Sequence, residues 1–313
     1  MGLGSKILVA TDLSEAADAA IRQGYERARA EGGELIVCHV VPDLLRHSPL
    51  FPQRGADDMA RLLDAEREAS RAVELRVTAL TGLAAAPHVP SPAQPGQVRP
   101  DGFQVVIDTG SPEAAIVRAA DEARATLVVV GSRGASGLDR LLLGSVSARV
   151  VRYAHCPVLV ARSQDKGGVV LAPTDFSDPA LPAVAAAIEE ARLRGARLTL
   201  FHSVDILPNP AIGWAAPFGA SWVVPPPELI QEVRAGALEA LEGTLQRFGV
   251  EGDTLAPVGD AATAILEAAR TLPAGLIVMG TRGRTGLARM VLGSVAEKVI
   301  AEAPCSVLAV RLA

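Results

Sequence analysis

Ile7-Leu8-Val9-Ala10-Thr11-Asp12-Leu13-Ser14 returns further along the chain as Val170-Leu171-Ala172-Pro173-Thr174-Asp175-Phe176-Ser177, and the same step carries His39 onto His202. An apolar run closed by Thr-Asp-x-Ser reads as a buried strand running into a turn. A second set of matches has a shorter step: Val128-Val129-Val130-Gly131-Ser132-Arg133-Gly134 returns as Ile277-Val278-Met279-Gly280-Thr281-Arg282-Gly283. Leu143-Gly144-Ser145-Val146 and Leu292-Gly293-Ser294-Val295 keep that shorter step, as do Cys156 and Cys305. The 313 residues are therefore two copies of one unit, expected as domains at 1–163 and 168–313. The difference between the two steps means that the first copy holds extra residues between Asp12 and Gly131. Their expected place is 81–100, where Pro87, Pro90, Pro92, Pro95 and Pro100 oppose both helix and central strand.

Within the first copy, short apolar runs at 6–10, 34–40, 104–108, 126–130 and 158–161 predict buried strands. Helical patterns at 15–30, 57–79, 112–123 and 145–153 lie between them, with Ser14 and Ser111-Pro112 as start signals. The second copy repeats the order over 169–310. This alternation predicts an α/β fold: two tandem, doubly wound, five-stranded parallel-sheet domains. Ligands on such sheets sit beyond the carboxyl ends of the strands.

Composition narrows the function. Hydrophobic residues make up 49% and charged residues 21%, enough to bury a core. Aromatics make up only 3%, which excludes the stacking platforms of single-strand nucleic-acid binders. A net charge of -5 gives no field that draws in nucleic acid or an anionic membrane surface. Lys6, Lys166 and Lys298 are the only lysines, which disfavours a lysine phosphate clamp. Cys38, Cys156 and Cys305 lack the spacing of a disulfide framework or a zinc site and are expected as buried apolar groups. No stretch reaches the about 18 apolar residues of a membrane span, and the N-terminus has no signal-peptide pattern, so a cytoplasmic location is expected.

The chemistry gathers on the glycines. Gly131-x-x-Gly134 is followed after nine residues by Gly144-Ser145, and Gly280-x-x-Gly283 after nine by Gly293-Ser294. Glycine after a strand permits positive φ and close backbone approach, so that N–H groups can face phosphate oxygens. Ser145 and Ser294 would then start helices whose free N–H groups favour an anion. Tight turns alone would also use glycine; the duplication with its spacing intact favours a phosphate cradle. Arg133 and Arg282 lie inside these loops, as fixed cations or as solvated loop side chains. Two roles suit Asp12 and Asp175: accepting from an exocyclic amine or sugar hydroxyl, or capping the first helix. His39 and His202 read as buried, hydrogen-bonded imidazoles rather than as bases. Neither the P-loop pattern nor G-x-G-x-x-G after the first strand is present.

Pro173-Thr174-Asp175-Phe176-Ser177, His39-Val40 and the doubled G-x2-G-x9-G-S pattern resemble the universal stress protein family over essentially the whole chain. The resemblance implies an adenine nucleotide alpha hydrolase-like, Rossmann-like sheet in each domain. It also implies domain pairing along the last strands as a pseudo-dimer, and ATP binding in the branch with this glycine pattern. Carried over, the adenine pocket falls on Ala10, Asp12 and Val40, and on Pro173, Asp175 and Ser203. The ribose and phosphate region falls on Val130, Gly131, Arg133, Gly134, Gly144, Ser145, Val146 and Ser147, and on Met279, Gly280, Arg282, Gly283, Gly293, Ser294, Val295 and Ala296. Ser203 stands where an apolar residue is expected against adenine. Ala296 lacks the hydroxyl that Ser147 offers to phosphate. Magnesium would be held through the phosphates, with no dedicated metal site.

The implied function is a nucleotide-responsive regulatory module in stress response, with an unidentified protein partner and a possible further homodimer. A slow ATPase or nucleotidyl-transferring enzyme and a nucleotide-free scaffold are the alternatives. Trp214, Phe218 and Trp222, within the proline-rich stretch 205–227, suggest a flap over the pocket or a loop packed on its own domain.

Overall fold

Both faces of a central parallel strand are buried at once, so its sequence need not alternate in polarity. β1 (Lys6–Thr11) and β2 (Glu34–Val41) are such strands, and they pair in parallel from Lys6 with Glu34 to Thr11 with His39. The computed structural model describes residues 3, 5–41, 56–85, 102–132, 143–163, 168–205, 226–281 and 292–311. After β1 comes a 3₁₀ turn at Glu15–Ala17, then α1 (Asp18–Glu31). α2 (Ala56–Thr81), β3 (Ala84–Ala85), β4 (Gly102–Thr109), α3 (Pro112–Ala123), β5 (Leu127–Gly131), α4 (Ser145–Tyr153) and β6 (Val158–Ala161) complete the first half. The second half runs β7 (Val169–Pro173), a 3₁₀ turn at Asp178–Ala180, α5 (Leu181–Arg194), β8 (Arg197–Phe201), α6 (Pro227–Phe248) and β9 (Asp253–Leu255). It ends with α7 (Ala261–Thr271), β10 (Ala274–Gly280), α8 (Ser294–Glu302) and β11 (Ser306–Val310).

The two halves share one sheet of 11 strands in the order β3-β4-β2-β1-β5-β6-β11-β10-β7-β8-β9. Every named pairing is parallel except the junction, where β6 and β11 run antiparallel. Leu159 faces Leu308 at its centre, flanked by Val158 with Ala309 and Val160 with Val307. Because Leu159 and Leu308 are related by the same step that carries Gly131 onto Gly280, a pseudo-twofold axis passes through this pair. Pairing along the last strands is thus what the resemblance implies.

Successive strand residues feed opposite layers. Ile7, Val9, Leu35 and Val37 pack with Val73 and Val77 of α2 on one face, and that layer continues through Leu276 and Val278 to Leu241 and Leu245 of α6. Leu8, Ile36, Cys38 and Val128 turn the other way, onto Ile116 of α3 and Val150 of α4. At Gly24 the helix approaches the sheet closely: a Cβ there would collide with Val9 Cγ2.

Two expectations need correction. The first half carries a sixth strand, the two-residue β3, at the edge of the sheet and inside the stretch where the prolines oppose helix and central strand; Thr81 itself still belongs to α2. The prolines come later, and 86–101 fall outside the described residues. β4 reads as a buried strand in the sequence, yet of its eight residues Phe103 alone is buried. Among the described residues its outer neighbour β3 pairs only with Gly102 and Phe103, so the rest of the strand has no described strand on its outer side.

Candidate functional site: the carboxyl ends of the strands

At the end of β1 the chain folds back within three residues. Thr11 Oγ1 accepts from the Leu13 N–H at 3.1 Å, and Asp12 Oδ1 accepts from the Ser14 N–H at 3.0 Å and the Ser14 hydroxyl at 2.5 Å. The second half repeats this: Thr174 accepts from Phe176 at 3.1 Å, and Asp175 from the Ser177 N–H and hydroxyl at 3.1 and 2.5 Å. These bonds hold Leu13 and Phe176 at φ 63° and 61°, a left-handed conformation that costs a side-chain-bearing residue about 1 kcal/mol. Asp12 and Asp175 therefore build the turn. Ser14 and Ser177 stand ahead of the 3₁₀ turns but make no capping bond with their side chains; their hydroxyls donate to the aspartates instead. Ser111 likewise makes no side-chain cap on α3.

The imidazoles brace the same turn. Nδ1 of His39 lies 2.9 Å from the Thr11 carbonyl, and Nδ1 of His202 lies 2.8 Å from that of Thr174. A carbonyl only accepts, so Nδ1 carries the proton and Nε2 of the neutral ring is an acceptor. Phe176 lies against His202 with ring centroids 4.5 Å apart.

The strands β5 and β10 lead into the helix starts. The N–H of Gly144 donates to the Ser132 carbonyl at 2.9 Å, and that of Gly293 to the Thr281 carbonyl at 3.0 Å. Both glycines are N-caps with φ -61° and -65°, a backbone conformation open to any residue. The first turns of α4 and α8 close from Ala148 to the Gly144 carbonyl and from Glu297 to the Gly293 carbonyl. The N–H groups of residues 145–147 and 294–296 consequently have no acceptor within their helices.

Two serine hydroxyls are turned elsewhere. Ser147, expected to face phosphate, is buried and donates to the Gly131 carbonyl at 2.6 Å. Ser203, expected against adenine, donates to the Gly259 carbonyl at 2.7 Å. Each hydroxyl has one proton, and in each case a backbone carbonyl takes it.

Pro173, Asp175, Ser203, Met279, Gly280, Gly293, Ser294, Val295 and Ala296 all line one cavity of about 350 Å³ in the second half. Thr174, Ala180, Phe201, His202, Ala261, Ile265 and Thr281, outside the expected set, complete its wall. Of these, Ile265 was open to detection, since the step that carries Gly131 onto Gly280 also carries Ile116 onto it. In the first half Ala10, Val40, Val130 and Gly131 occupy the corresponding strand ends, and Gly144, Ser145, Val146 and Ser147 the start of α4. Arg133, Gly134, Arg282 and Gly283 lie outside the described residues, as do Trp214, Phe218 and Trp222.

Asp260, the N-cap of α7 beside this cavity, is reached from Ser111 by the step that carries Gly131 onto Gly280, so the start signal at Ser111 marks its position but not its acidic side chain. Its Oδ1 accepts from the Thr263 N–H at 2.9 Å and the Thr263 hydroxyl at 2.6 Å, and Lys298 of α8 lies 3.6 Å away. Hydrogen bonds from Thr263 hold its carboxyl below the usual range. Among the described residues no three His, Cys, Asp or Glu side chains are grouped to hold a metal ion, and no helix is long and apolar enough to cross a membrane.

The universal stress protein family model matches the chain twice, over residues 5–162 and 168–311. The chain belongs to the universal stress protein family. A universal stress protein of Mycolicibacterium smegmatis is 29% identical, with 97% of this chain and 96% of that one covered. Universal stress protein Rv2623 of Mycobacterium tuberculosis is 31% identical over 82% of this chain and 95% of its own length. Among solved structures, a universal stress protein from Archaeoglobus fulgidus superposes with a TM-score of 0.65 at 23% identity, covering 97% of both chains, which supports the tandem fold.

Proposed function

We propose that this universal stress protein is a cytoplasmic regulatory module that binds ATP at the strand ends of both halves, and that a protein partner reads the bound state in a stress response. The observation that carries the reading is the second-half cavity, which brings the N–H groups of the first turn of α8 to an apolar pocket. A volume of about 350 Å³ lies within the usual ligand-pocket range of roughly 300–1,000 Å³. Ile265, Met279 and Val295 supply apolar wall for a base, while the N–H groups at 294–296 suit phosphate oxygens.

Gly293 supports this fit. Among the described residues a Cβ there would meet nothing nearer than the Thr281 carbonyl at 3.6 Å, and its φ is one that any residue adopts. Packing and conformation among the described residues give no reason for glycine there, whereas close approach of the backbone to a bound phosphate would. Bound magnesium would supply charge neutralisation through the phosphates, with the backbone of α8 orienting them.

Denaturing the purified protein and analysing the released nucleotide, followed by calorimetric titration with Mg-ATP, AMP and cyclic AMP, tests the reading. Saturable Mg-ATP binding is expected; no released nucleotide and no binding at millimolar ATP overturns it. Multiple-turnover phosphate release no faster than in a G131A/G280A variant is expected of a ligand rather than a substrate.

A further inference from the structure

Arg27 and Glu190 stand at the same position of the two repeats, related by the step that carries Asp12 onto Asp175, and their side chains meet across the junction. Glu31 and Arg194 are equivalent in the same way. Within α1, Arg27 Nη2 lies 2.7 Å from Glu31 Oε1; within α5, Arg194 Nε lies 3.1 Å from Glu190 Oε2. α1 thus presents a basic residue and then an acidic one, and α5 presents the reverse order at equivalent positions. Arg27 and Glu190 are 8% and 7% exposed at their side chains.

A buried ion pair of this kind is weak evidence for stability, since a well-packed apolar pair often does as well or better. Here it even leaves Arg27 Nε and the neighbouring Gln23 Oε1 buried with no hydrogen-bond partner among the described residues. The pseudo-twofold axis supplies another reason for the charges. Near such an axis each residue meets its own counterpart, so two first halves would set Arg27 against Arg27, and two second halves Glu190 against Glu190. Like charges buried at an interface penalise the wrong pairing.

We infer that Arg27, Glu31, Glu190 and Arg194 select the pairing partner: they make the face of the first half complementary to that of the second and repulsive to a copy of itself. The chain thereby pairs its own two halves rather than joining like halves of two chains. This rests on the junction alone and is independent of nucleotide binding.

Full-length charge-reversal variants test it. R27E/E31R gives both faces the order of α5, E190R/R194E gives both the order of α1, and the fourfold variant restores complementarity in inverted form. Each double variant is expected to lose roughly 5–10 °C in Tm and to exchange the β6 and β11 amides at least about tenfold faster, with the fourfold variant recovering most of both. Mixing the two double variants, fluorescently labelled, is expected to give energy transfer that neither gives with itself, because first half now complements first half. A fourfold variant no better than the double variants, double variants that behave as the parent, or equal transfer in all mixtures overturns the inference.

Discussion

Arg162 and Arg311 occupy the same position of the two repeats, and each reaches across the junction to the last helix of the other half. Arg162 donates to the carbonyls of Ile300 and Ala301 at 2.6 and 3.3 Å, in the last turn of α8, and to that of Cys305 at 3.2 Å, just before β11. Arg311 donates to those of Arg152 and Ala154 at 2.8 and 3.0 Å, at the end of α4. A guanidinium there satisfies carbonyls that have no helical donor and sits at the negative end of the helix dipole.

This exchange predicts that R162A and R311A each destabilise the whole molecule by about 1–3 kcal/mol, since each leaves helix-end carbonyls of the opposite half without a donor. A drop of roughly 2–8 °C in Tm for each is expected by calorimetry, with one transition. Lysine at 162 should recover little, because a point charge cannot fork onto three carbonyls. Parent-like melting of R162A would show that the junction does not depend on this arginine.

At Gly293 the expected effect separates stability from binding. Serine is a good N-cap residue, and among the described residues the added Cβ meets only the Thr281 carbonyl at an ordinary 3.6 Å, so G293S should melt within about 2 °C of the parent. The side chain would enter the cavity and its oxygen would take an N–H of the first turn of α8. Calorimetry should show Mg-ATP affinity at that site reduced about tenfold or more. Undiminished affinity would place the phosphates elsewhere.

Cys38 and Cys156 should be unreactive in the folded protein. Burial raises each thiol to a pKa of about 12, with Asp108 adding to the effect at Cys38. At pH 8 almost no thiolate is present, and the sulfurs are enclosed. Labelling with a chromogenic disulfide, located by mass spectrometry, should find both modified only after unfolding in denaturant.

The Asp260 cap should give stability that depends on pH in one direction. Its folded-state pKa is lowered, chiefly by the Thr263 hydroxyl and amide, so the contribution is complete above the unfolded value of about 3.9 and is lost as pH falls through the folded value. D260A should cost about 1 kcal/mol at pH 7, and the difference from the parent should narrow below about pH 4. Urea unfolding of both proteins at pH 7 and pH 3 measures it; a constant difference would mean that the charge of the cap contributes nothing.

The residues that line the cavity were largely legible, because strand ends and helix starts are local patterns and the duplication marks which of them recur. What their side chains do there was not. The Ser147 and Ser203 hydroxyls looked available to a ligand, and each is bonded to the carbonyl of a distant glycine, Gly131 and Gly259 respectively. The repeat marks the positions of Ile265 and Asp260, but that Ile265 lines the cavity and Asp260 caps α7 through Thr263 depends on how α7 packs against α8 and the sheet.

The sequence by itself determined the repeated α/β unit, the order of its elements and the end of the sheet where a ligand would bind, since apolar period, turn residues and internal offsets are properties of neighbours along the chain. Only the tertiary structure decided that the two units share one sheet through Leu159 and Leu308, and that Arg27 meets Glu190. Those contacts join residues from opposite halves of the chain, and they exist only because a pseudo-twofold axis brings equivalent positions face to face.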